Sequence, residues 1–305
     1  FQRGVCLVGP PRSEETRRVK ALGAEWVSLT PFGYGQREPD RVPEGGYRLS
    51  RWHGESPADI RRSARLAHEH GLKVIVKPHL WFRVRGTSHW RGDIAFARDE
   101  DWTDWFEVYR AFLAPFLEIA AEERVEAFCL GTELKGTTGQ TGRWLELIAE
   151  ARKGYAGKLT YAAHWDHEFE SIRFWRELDF IGVQGYFPLV DFDDRNPTAE
   201  ELDRGWKPWM EKLEAVSVRA GRPVLFTELG YKPCLATTYR PWEWRSRGFD
   251  SAAQADALEA FFRQAKRKRF IAGVHIWKWF TRGRRRDFSP QGLAAEEVLR
   301  RWFGG

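Results

Sequence analysis

The sequence is poor in cysteine and contains no long apolar run. Its three cysteines, Cys6, Cys129 and Cys234, are odd in number and lack the spacing of a metal site. Cys6 and Cys129 lie within apolar runs, where a thiol usually serves as a small buried side chain. No stretch approaches the ~18 consecutive apolar residues of a membrane span, and no signal-type apolar segment opens the sequence. We therefore expect neither a metal site built on cysteine nor a membrane span.

The composition is that of a globular protein with many aromatic rings. Of the 305 residues, 42% are hydrophobic and 30% are charged, so the chain can bury a large core. It has 16 Trp and 8 Tyr but a single Met, and rings that the core does not need would suit stacking on sugars. The net charge of +6 is compatible with an anionic partner, but no nucleic-acid-binding motif accompanies it. We expect no nucleic-acid partner, and the oligomeric state stays open.

Eight apolar segments of strand length alternate with helical segments along the chain. This alternation predicts an α/β fold, a (β/α)8 TIM barrel that forms a single domain over residues 1–305. Long loops are expected at 31–56, 78–100 and 229–248. The main rival is a doubly wound open sheet, which usually binds a nucleotide through a glycine-rich first turn. Here the first turn is Gly9-Pro10-Pro11, which lacks the spaced glycines, so the barrel is favoured.

The predicted fourth and seventh strands both end on the dipeptide Thr-Glu, at Glu133 and Glu228. The carboxyl ends of the strands of a barrel converge on one face, where barrel enzymes have their active sites. Glycoside hydrolysis needs two carboxyl groups, one to protonate the leaving oxygen and one to meet the anomeric carbon. The pair therefore predicts a glycosidase site, although two unrelated strand-end glutamates would give the same pattern.

Several ordered motifs resemble glycoside hydrolase family 113, the barrel β-mannanases of clan A. No single motif is specific, but the set spans nearly the whole chain in the right order. The motifs are Val76-Lys-Pro-His79, Gly131-Thr-Glu-Leu134, Leu159-Thr-Tyr161 with Trp165, Gly182-Val-Gln-Gly-Tyr-Phe-Pro-Leu189, Phe226-Thr-Glu-Leu-Gly-Tyr231 and Phe288-Ser-Pro-Gln-Gly292 before Ala295-Glu296. The resemblance implies a retaining β-glycoside hydrolase with β-1,4-mannan as the default substrate and with no cofactor or metal.

The resemblance also implies roles for individual residues. Glu133 matches the acid/base, Glu228 the nucleophile, and Tyr186 the tyrosine that hydrogen-bonds the nucleophile in the clan. Since the nucleophile must be ionised while the acid holds a proton, the two carboxyl groups should have different surroundings. Thr132 stands where the wider clan usually has an Asn that bonds the 2-hydroxyl of the sugar, so that contact is open to another residue.

Rings and imidazoles near the predicted strand ends are further candidates for sugar binding. Trp277 matches the platform under the reacting sugar, and Trp81, Trp165 and Trp242 are expected to line neighbouring subsites. His79 and His164 are candidates for bonds to sugar hydroxyls. Each of these side chains has an alternative, purely structural interpretation, in which a tryptophan packs a loop or a histidine is satisfied inside the protein.

Two arginine clusters are expected on the same face, one with Arg83 and Arg85 and one at Arg282-Gly-Arg-Arg-Arg286. A neutral mannan does not need so many cations, so Arg83 and Arg284 are candidates for binding an anionic or amino-sugar β-glycan. A solvated arginine-rich loop is the plainer alternative, and a non-catalytic glycan-binding barrel is the alternative from another functional class. An export signal ahead of Phe1 would favour secretion or the periplasm, while a cytoplasmic location stays open.

Overall fold

The structure is a computed structural model that describes residues 1–35, 38–49, 54–82, 89–243, 247–283 and 287–304. In these residues eight parallel strands close into a barrel, in which each strand pairs with its neighbours in the chain and the last pairs with the first. The strands are β1 (Gln2–Val8), β2 (Trp26–Leu29), β3 (Lys73–Val76), β4 (Ala127–Thr132), β5 (Lys158–Ala163), β6 (Phe180–Gln184), β7 (Val224–Leu229) and β8 (Ile271–Phe280). The predicted (β/α)8 barrel is confirmed.

Helices cover the outside of the barrel. Over the described ranges they are α1 (Ser13–Ala21), α2 (Pro57–Glu69), α3 (Asp99–Glu122), α4 (Thr141–Gly154), α5 (Glu168–Ser171), α6 (Ala199–Ala220), α7 (Ser251–Ala265) and α8 (Ala294–Gly304). Their starts follow from local sequence: Ser56 caps α2 ahead of Pro57, and Thr198 with Glu201 forms a capping box on α6. Within the part of the chain that is described, none of these helices combines the length and apolarity of a membrane-crossing segment.

Much of the aromatic content packs between the barrel and the helices. Trp105, Trp144 and Trp206 are fully buried. On the β7 side, the Phe226 ring packs edge-on against Phe261 of α7, with ring centroids 4.8 Å apart. Such aromatic pairs add to the burial of apolar area, so these rings stabilise the barrel and its helices. They are thus not available to a ligand.

A second, three-stranded sheet lies beyond the ends of β2 and β3. Its strands are Phe32–Gly35, Arg48–Leu49 and His79–Phe82, and the first and third pair in parallel, with Phe32 opposite His79. The sequence analysis predicts loops over 31–56 and 78–100, yet the structure forms short strands within both. This rim sheet extends the barrel wall upward and fixes His79 and Trp81 at the mouth.

Candidate active site

A cavity of about 650 Å³ lies at the mouth of the barrel. It is bounded by residues that follow the strands and by the rim sheet, which is where barrel enzymes place their active sites. Eight of the residues predicted from sequence line it: His79, Trp81, Glu133, His164, Tyr186, Glu228, Trp242 and Trp277. The structure thus brings both glutamates and most of the predicted rings to one cavity.

Glu228 lies near the end of β7 and is surrounded by hydrogen-bond donors. Only 3% of the residue is exposed. Tyr186, just after β6, donates its hydroxyl to Oε2 at 2.6 Å, and the Nζ of Lys77 contacts Oε1. His79 Nε2 lies 3.5 Å from Oε1. A charge-assisted bond and a phenol donor together hold this carboxyl in one orientation.

Lys77 is a functional candidate that the sequence interpretation missed. It follows β3 and is fully buried, and its Nζ also donates to the carbonyl of Thr227 at 3.2 Å. A buried ammonium is costly unless a carboxylate and hydrogen bonds compensate for it, and Glu228 with Thr227 does so. The sequence feature that could have identified it is a lysine between the apolar run Val74–Val76 and Pro78. In the structure this position does not reach solvent.

Two neighbours of Glu228 keep their neutral forms. Burial lowers the pKa of His79 well below its usual value, and the charges of Lys77 and Arg91 lower it further. Burial raises the pKa of Tyr186 well above its usual value, with the charge of Glu228 acting in the same direction. Near neutral pH, His79 is therefore a neutral imidazole that can form hydrogen bonds. Tyr186 is an uncharged phenol that donates a hydrogen bond to Glu228.

Glu133 occupies a different environment directly after β4. Its backbone has a positive φ of 52°, and its N–H donates to the carbonyl of Ala162 at 2.8 Å. This left-handed conformation is uncommon for residues with a side chain and often marks a functional position. Arg91 contacts Oε2 of Glu133 through Nη2. The sequence interpretation missed Arg91, which lies in the segment 78–100 that it predicted as a loop.

A buried network supports the segment that carries Glu133. The hydroxyl of Tyr161 accepts the N–H of Leu134 at 2.8 Å and donates to Glu168 Oε1 at 2.5 Å. The other oxygen of Glu168 accepts the N–H of His164 at 2.5 Å. Burial raises the pKa of Glu168 to about 8. This fully buried carboxyl therefore ties the residues that follow β4 to those that follow β5.

Aromatic side chains form the walls of the cavity. Trp277 lies near-parallel to the His79 ring at 6.1 Å between centroids, and Trp90 meets His164 edge-on at 5.1 Å. Trp242 is 39% exposed and stacks on Trp165, with ring centroids 4.6 Å apart. Flat, partly exposed rings of this kind can stack on the apolar faces of sugars.

Two predicted sugar-binding residues lie behind the residues that line the cavity. The hydroxyl of Thr132 donates to the carbonyl of Pro78 at 3.3 Å, and the residue is 1% exposed. Trp165 lies beneath Trp242 and packs against Trp209, with ring centroids 6.0 Å apart. In this structure Thr132 therefore joins β4 to the segment after β3, and Trp165 supports the exposed Trp242.

The lysines and arginines described in the site are paired with acids. Lys77 contacts Glu228, Arg91 contacts Glu133, and Lys278 Nζ lies 2.6 Å from Asp287 Oδ2. Arg83 and Arg284, the predicted anion-binding residues, lie outside the described residues. Across the described ranges, no group of three or more His, Cys, Asp or Glu side chains is arranged to hold a metal ion.

The sequence of the chain matches a known protein family. The sequence model of Glycoside Hydrolase Family 113 matches residues 10–291. No curated protein sequence matches the chain significantly.

Several solved structures have a fold similar to that of this chain. The GH113 β-mannanase AaManA from Alicyclobacillus acidocaldarius, in complex with ManMIm, is 27% identical, with a TM-score of 0.85 over 100% of this chain and 97% of its own. A complex of a GH113 β-1,4-mannanase is 23% identical, with a TM-score of 0.84 over 100% of this chain and 99% of its own. A β-glucuronidase from Ruminococcus gnavus is 16% identical, with a TM-score of 0.66 over 99% of this chain and 50% of its own, and shares the fold alone.

Proposed function

Because the chain belongs to glycoside hydrolase family 113, we propose that this hydrolase cleaves β-1,4-linked mannan or its oligosaccharides with retention of configuration. The observation that carries the proposal is that Glu133 and Glu228 line one cavity in different surroundings. Tyr186 and Lys77 hold Glu228, whereas Glu133, directly after β4, contacts Arg91. The mannanase AaManA, at 27% identity, supports mannan as the substrate.

In the first step Glu228 is the nucleophile. One of its carboxylate oxygens attacks the anomeric carbon while the glycosidic carbon–oxygen bond breaks. The electron pair of that bond passes to the leaving oxygen, which takes the proton of Glu133. The products are a glycosyl ester on Glu228, an ionised Glu133 and a free sugar hydroxyl on the leaving group.

In the second step Glu133 acts as the base. It takes a proton from a water molecule, whose oxygen attacks the same anomeric carbon. The ester bond breaks and returns the electron pair to Glu228, so both carboxyl groups regain their starting forms. Two displacements at one carbon give a product with the configuration of the substrate.

The residues around Glu228 support its assignment as nucleophile. The ammonium of Lys77 and the hydroxyl of Tyr186 reach different oxygens of the carboxylate. These two contacts orient the group before substrate arrives, and such preorganisation contributes directly to rate. Trp277, which lines the same cavity, is assigned as the platform beneath the reacting sugar.

The described charges favour a neutral sugar over an anionic one. Each lysine or arginine that lines the cavity in the described ranges is already paired with a carboxylate, as Arg91 is with Glu133 and Lys278 with Asp287. A glycan carboxylate entering this cavity would also meet Glu133 and Glu228. Like charges at close range are unfavourable, so we retain mannan as the substrate and do not propose the anionic glycan.

The proposal is tested by replacing each glutamate and following mannan-oligosaccharide cleavage by NMR. Glu133→Ala should lower kcat by roughly 10²–10⁴-fold, and Glu228→Ala by at least as much, with unchanged circular dichroism. Glu243→Ala is the matched control, because Glu243 lines the cavity but pairs with Arg240 at 2.9 Å. The first product formed by the wild type should carry the β configuration. Inversion, or near-normal turnover in both variants, would refute the proposal.

A further inference from the structure

Arg91 is placed unusually for a residue beside a general acid. Its side chain is 13% exposed, and Nη2 contacts Oε2 of Glu133. Its Nε is buried and has no hydrogen-bond partner among the described residues. The guanidinium also lies over the ring of Trp90, with its carbon 5.6 Å from the centroid. Arg91 therefore has one donor engaged with Glu133 and another unused inside the cavity wall.

The backbone around Arg91 is fixed relative to Glu133. The turn Arg91–Asp93 is closed by the N–H of Trp90, which donates to Asp93 Oδ2 at 3.0 Å. The next residue, Ile94, packs against the turn that follows Glu133: a Cβ added to Gly136 would lie 2.2 Å from the Ile94 carbonyl oxygen. If the contact between Arg91 and Glu133 changes, the two side chains are therefore expected to move while the backbone of the two turns stays in place.

The contact conflicts with one half of the proposed reaction. In the first step Glu133 must carry a proton, whereas a permanent guanidinium cation interacts most favourably with an ionised carboxylate. In the second step Glu133 is an ionised base, and the same contact is favourable. The contact therefore suits the second step, whereas during the first step Arg91 needs another hydrogen-bond acceptor.

The leaving sugar is positioned to supply that acceptor. Glu133 gives its proton to the glycosidic oxygen, so the sugar that departs must lie against Glu133, on the side away from Glu228. Trp90, Arg91 and His164 line the cavity together with Glu133. The Trp90 ring meets His164 edge-on at 5.1 Å, so the two rings and the guanidinium form one continuous surface.

We propose that Arg91 and Trp90 form the subsite for the leaving sugar, and that Arg91 exchanges its contact with Glu133 for hydroxyl oxygens of that sugar. This inference rests on the proposed function, in which Glu133 is the acid. The unused Nε and the released Nη2 present two donors on one edge of a planar group, which matches neighbouring sugar oxygens. The enzyme should therefore prefer substrates that have a sugar, rather than another leaving group, next to the cleaved bond.

Two substrates separate this role from a general structural one. A mannan oligosaccharide has a leaving sugar and needs a proton from Glu133, whereas a 2,4-dinitrophenyl β-mannoside has neither the sugar hydroxyls nor that need. Arg91→Ala should lower kcat/KM on the oligosaccharide by roughly 10- to 100-fold, because it removes hydrogen bonds from a charged donor. On the aryl mannoside, the rate of the first step should change less than about threefold.

Three comparisons decide the outcome. Arg98→Ala, which removes a largely exposed arginine paired with Asp101, should behave as wild type on both substrates. Equal losses for Arg91→Ala on both substrates, or no loss on either, would overturn the Arg91 subsite. Glu133→Ala must also slow the first step more on the oligosaccharide than on the aryl mannoside. If Glu133→Ala shows this difference and Arg91→Ala does not, only the Arg91 inference fails. If Glu133→Ala shows no such selectivity, or the wild type cleaves neither substrate, the proposed function fails as well.

Discussion

Lys77 Nζ and Glu228 Oε1 are in direct contact, and the two side chains are 0% and 4% exposed. Lys77 follows β3 and Glu228 lies in β7, which stand on opposite sides of the eight-stranded barrel. The ion pair therefore spans the interior just beneath the cavity. The fully buried ammonium of Lys77 therefore compensates the charge of Glu228, the proposed nucleophile.

Removing only Lys77 should destabilise the protein. Lys77→Met places an unbranched apolar side chain of similar size there but leaves the charge of Glu228 buried without its partner. Losing one member of a buried ion pair costs about 3–5 kcal/mol of the free energy of unfolding, measured by chemical denaturation. Activity on mannan oligosaccharide should fall with it, because the nucleophile loses a contact that orients it.

The double variant Lys77→Met/Glu228→Gln distinguishes a charge effect from a packing effect. With both charges removed, most of the lost free energy of unfolding should return while activity stays absent. Arg98→Met is the control, since the Arg98 side chain is 70% exposed in its pair with Asp101 and its loss should barely move the unfolding midpoint. A double variant as unstable as Lys77→Met alone would contradict the electrostatic account.

The fold could be predicted from sequence because its signals are local. Apolar runs of strand length, separated by helical segments, indicate strands and helices without knowledge of their partners. Closure into a barrel then follows from the repeated alternation. The rim sheet could not be predicted in this way. Its strand Phe32–Gly35 contains two glycines and is stabilised by pairing with the distant segment His79–Phe82.

The sequence analysis predicted which residues meet at the candidate site, since both glutamates line one cavity, but it did not predict their ion pairs. Glu133 and Glu228 are recognisable because each ends an apolar strand, but the partner of each depends on how the strands pair. The pairing of β4 with β5 shifts register between Cys129 and Thr132, and that of β7 with β6 shifts between Phe226 and Glu228. Such irregularities decide which side chains enter the cavity, and sequence periodicity does not report them.

Trp242 should contribute to binding longer substrates. It is 39% exposed, lines the cavity and stacks on Trp165, so one face is supported from behind. Trp242→Ala should raise KM for mannan oligosaccharides by roughly 5- to 10-fold, which corresponds to an aromatic contact of about 1 kcal/mol. The kcat should change little, because Trp242 does not contact Glu133 or Glu228 in the described hydrogen bonds and ion pairs.

A tryptophan on the far side of the fold provides the control for Trp242. Trp302 of α8 stacks on Phe262, with ring centroids 5.5 Å apart, and lies in the helical layer. Trp302→Ala should lower the unfolding midpoint while leaving KM unchanged. If Trp242→Ala instead lowered stability and left KM at the wild-type value, the ring would be a packing element of its loop.

Glu168 should make stability depend on pH through its burial. Its pKa is raised from 4.5 to about 8 by burial, against the opposing hydrogen bonds from Tyr161 and the His164 N–H. A carboxyl group with a raised pKa in the folded state binds its proton more tightly there than in the unfolded chain. Its contribution to the free energy of unfolding is therefore complete below pH 4.5 and is lost as pH rises to about 8.

Glu168→Gln removes this titration, and comparison with the wild type isolates it. Between pH 5 and pH 9, unfolding by denaturant should show the stability of the wild type relative to the variant falling by on the order of 2–4 kcal/mol. Glu170→Gln, on the same short helix but partly exposed and paired with His167, should follow the wild-type curve at every pH. Parallel curves for the wild type and Glu168→Gln would mean that Glu168 is already ionised throughout this range. The network of Tyr161, Leu134 and His164 would then be built on a buried carboxylate whose two accepted hydrogen bonds outweigh its desolvation.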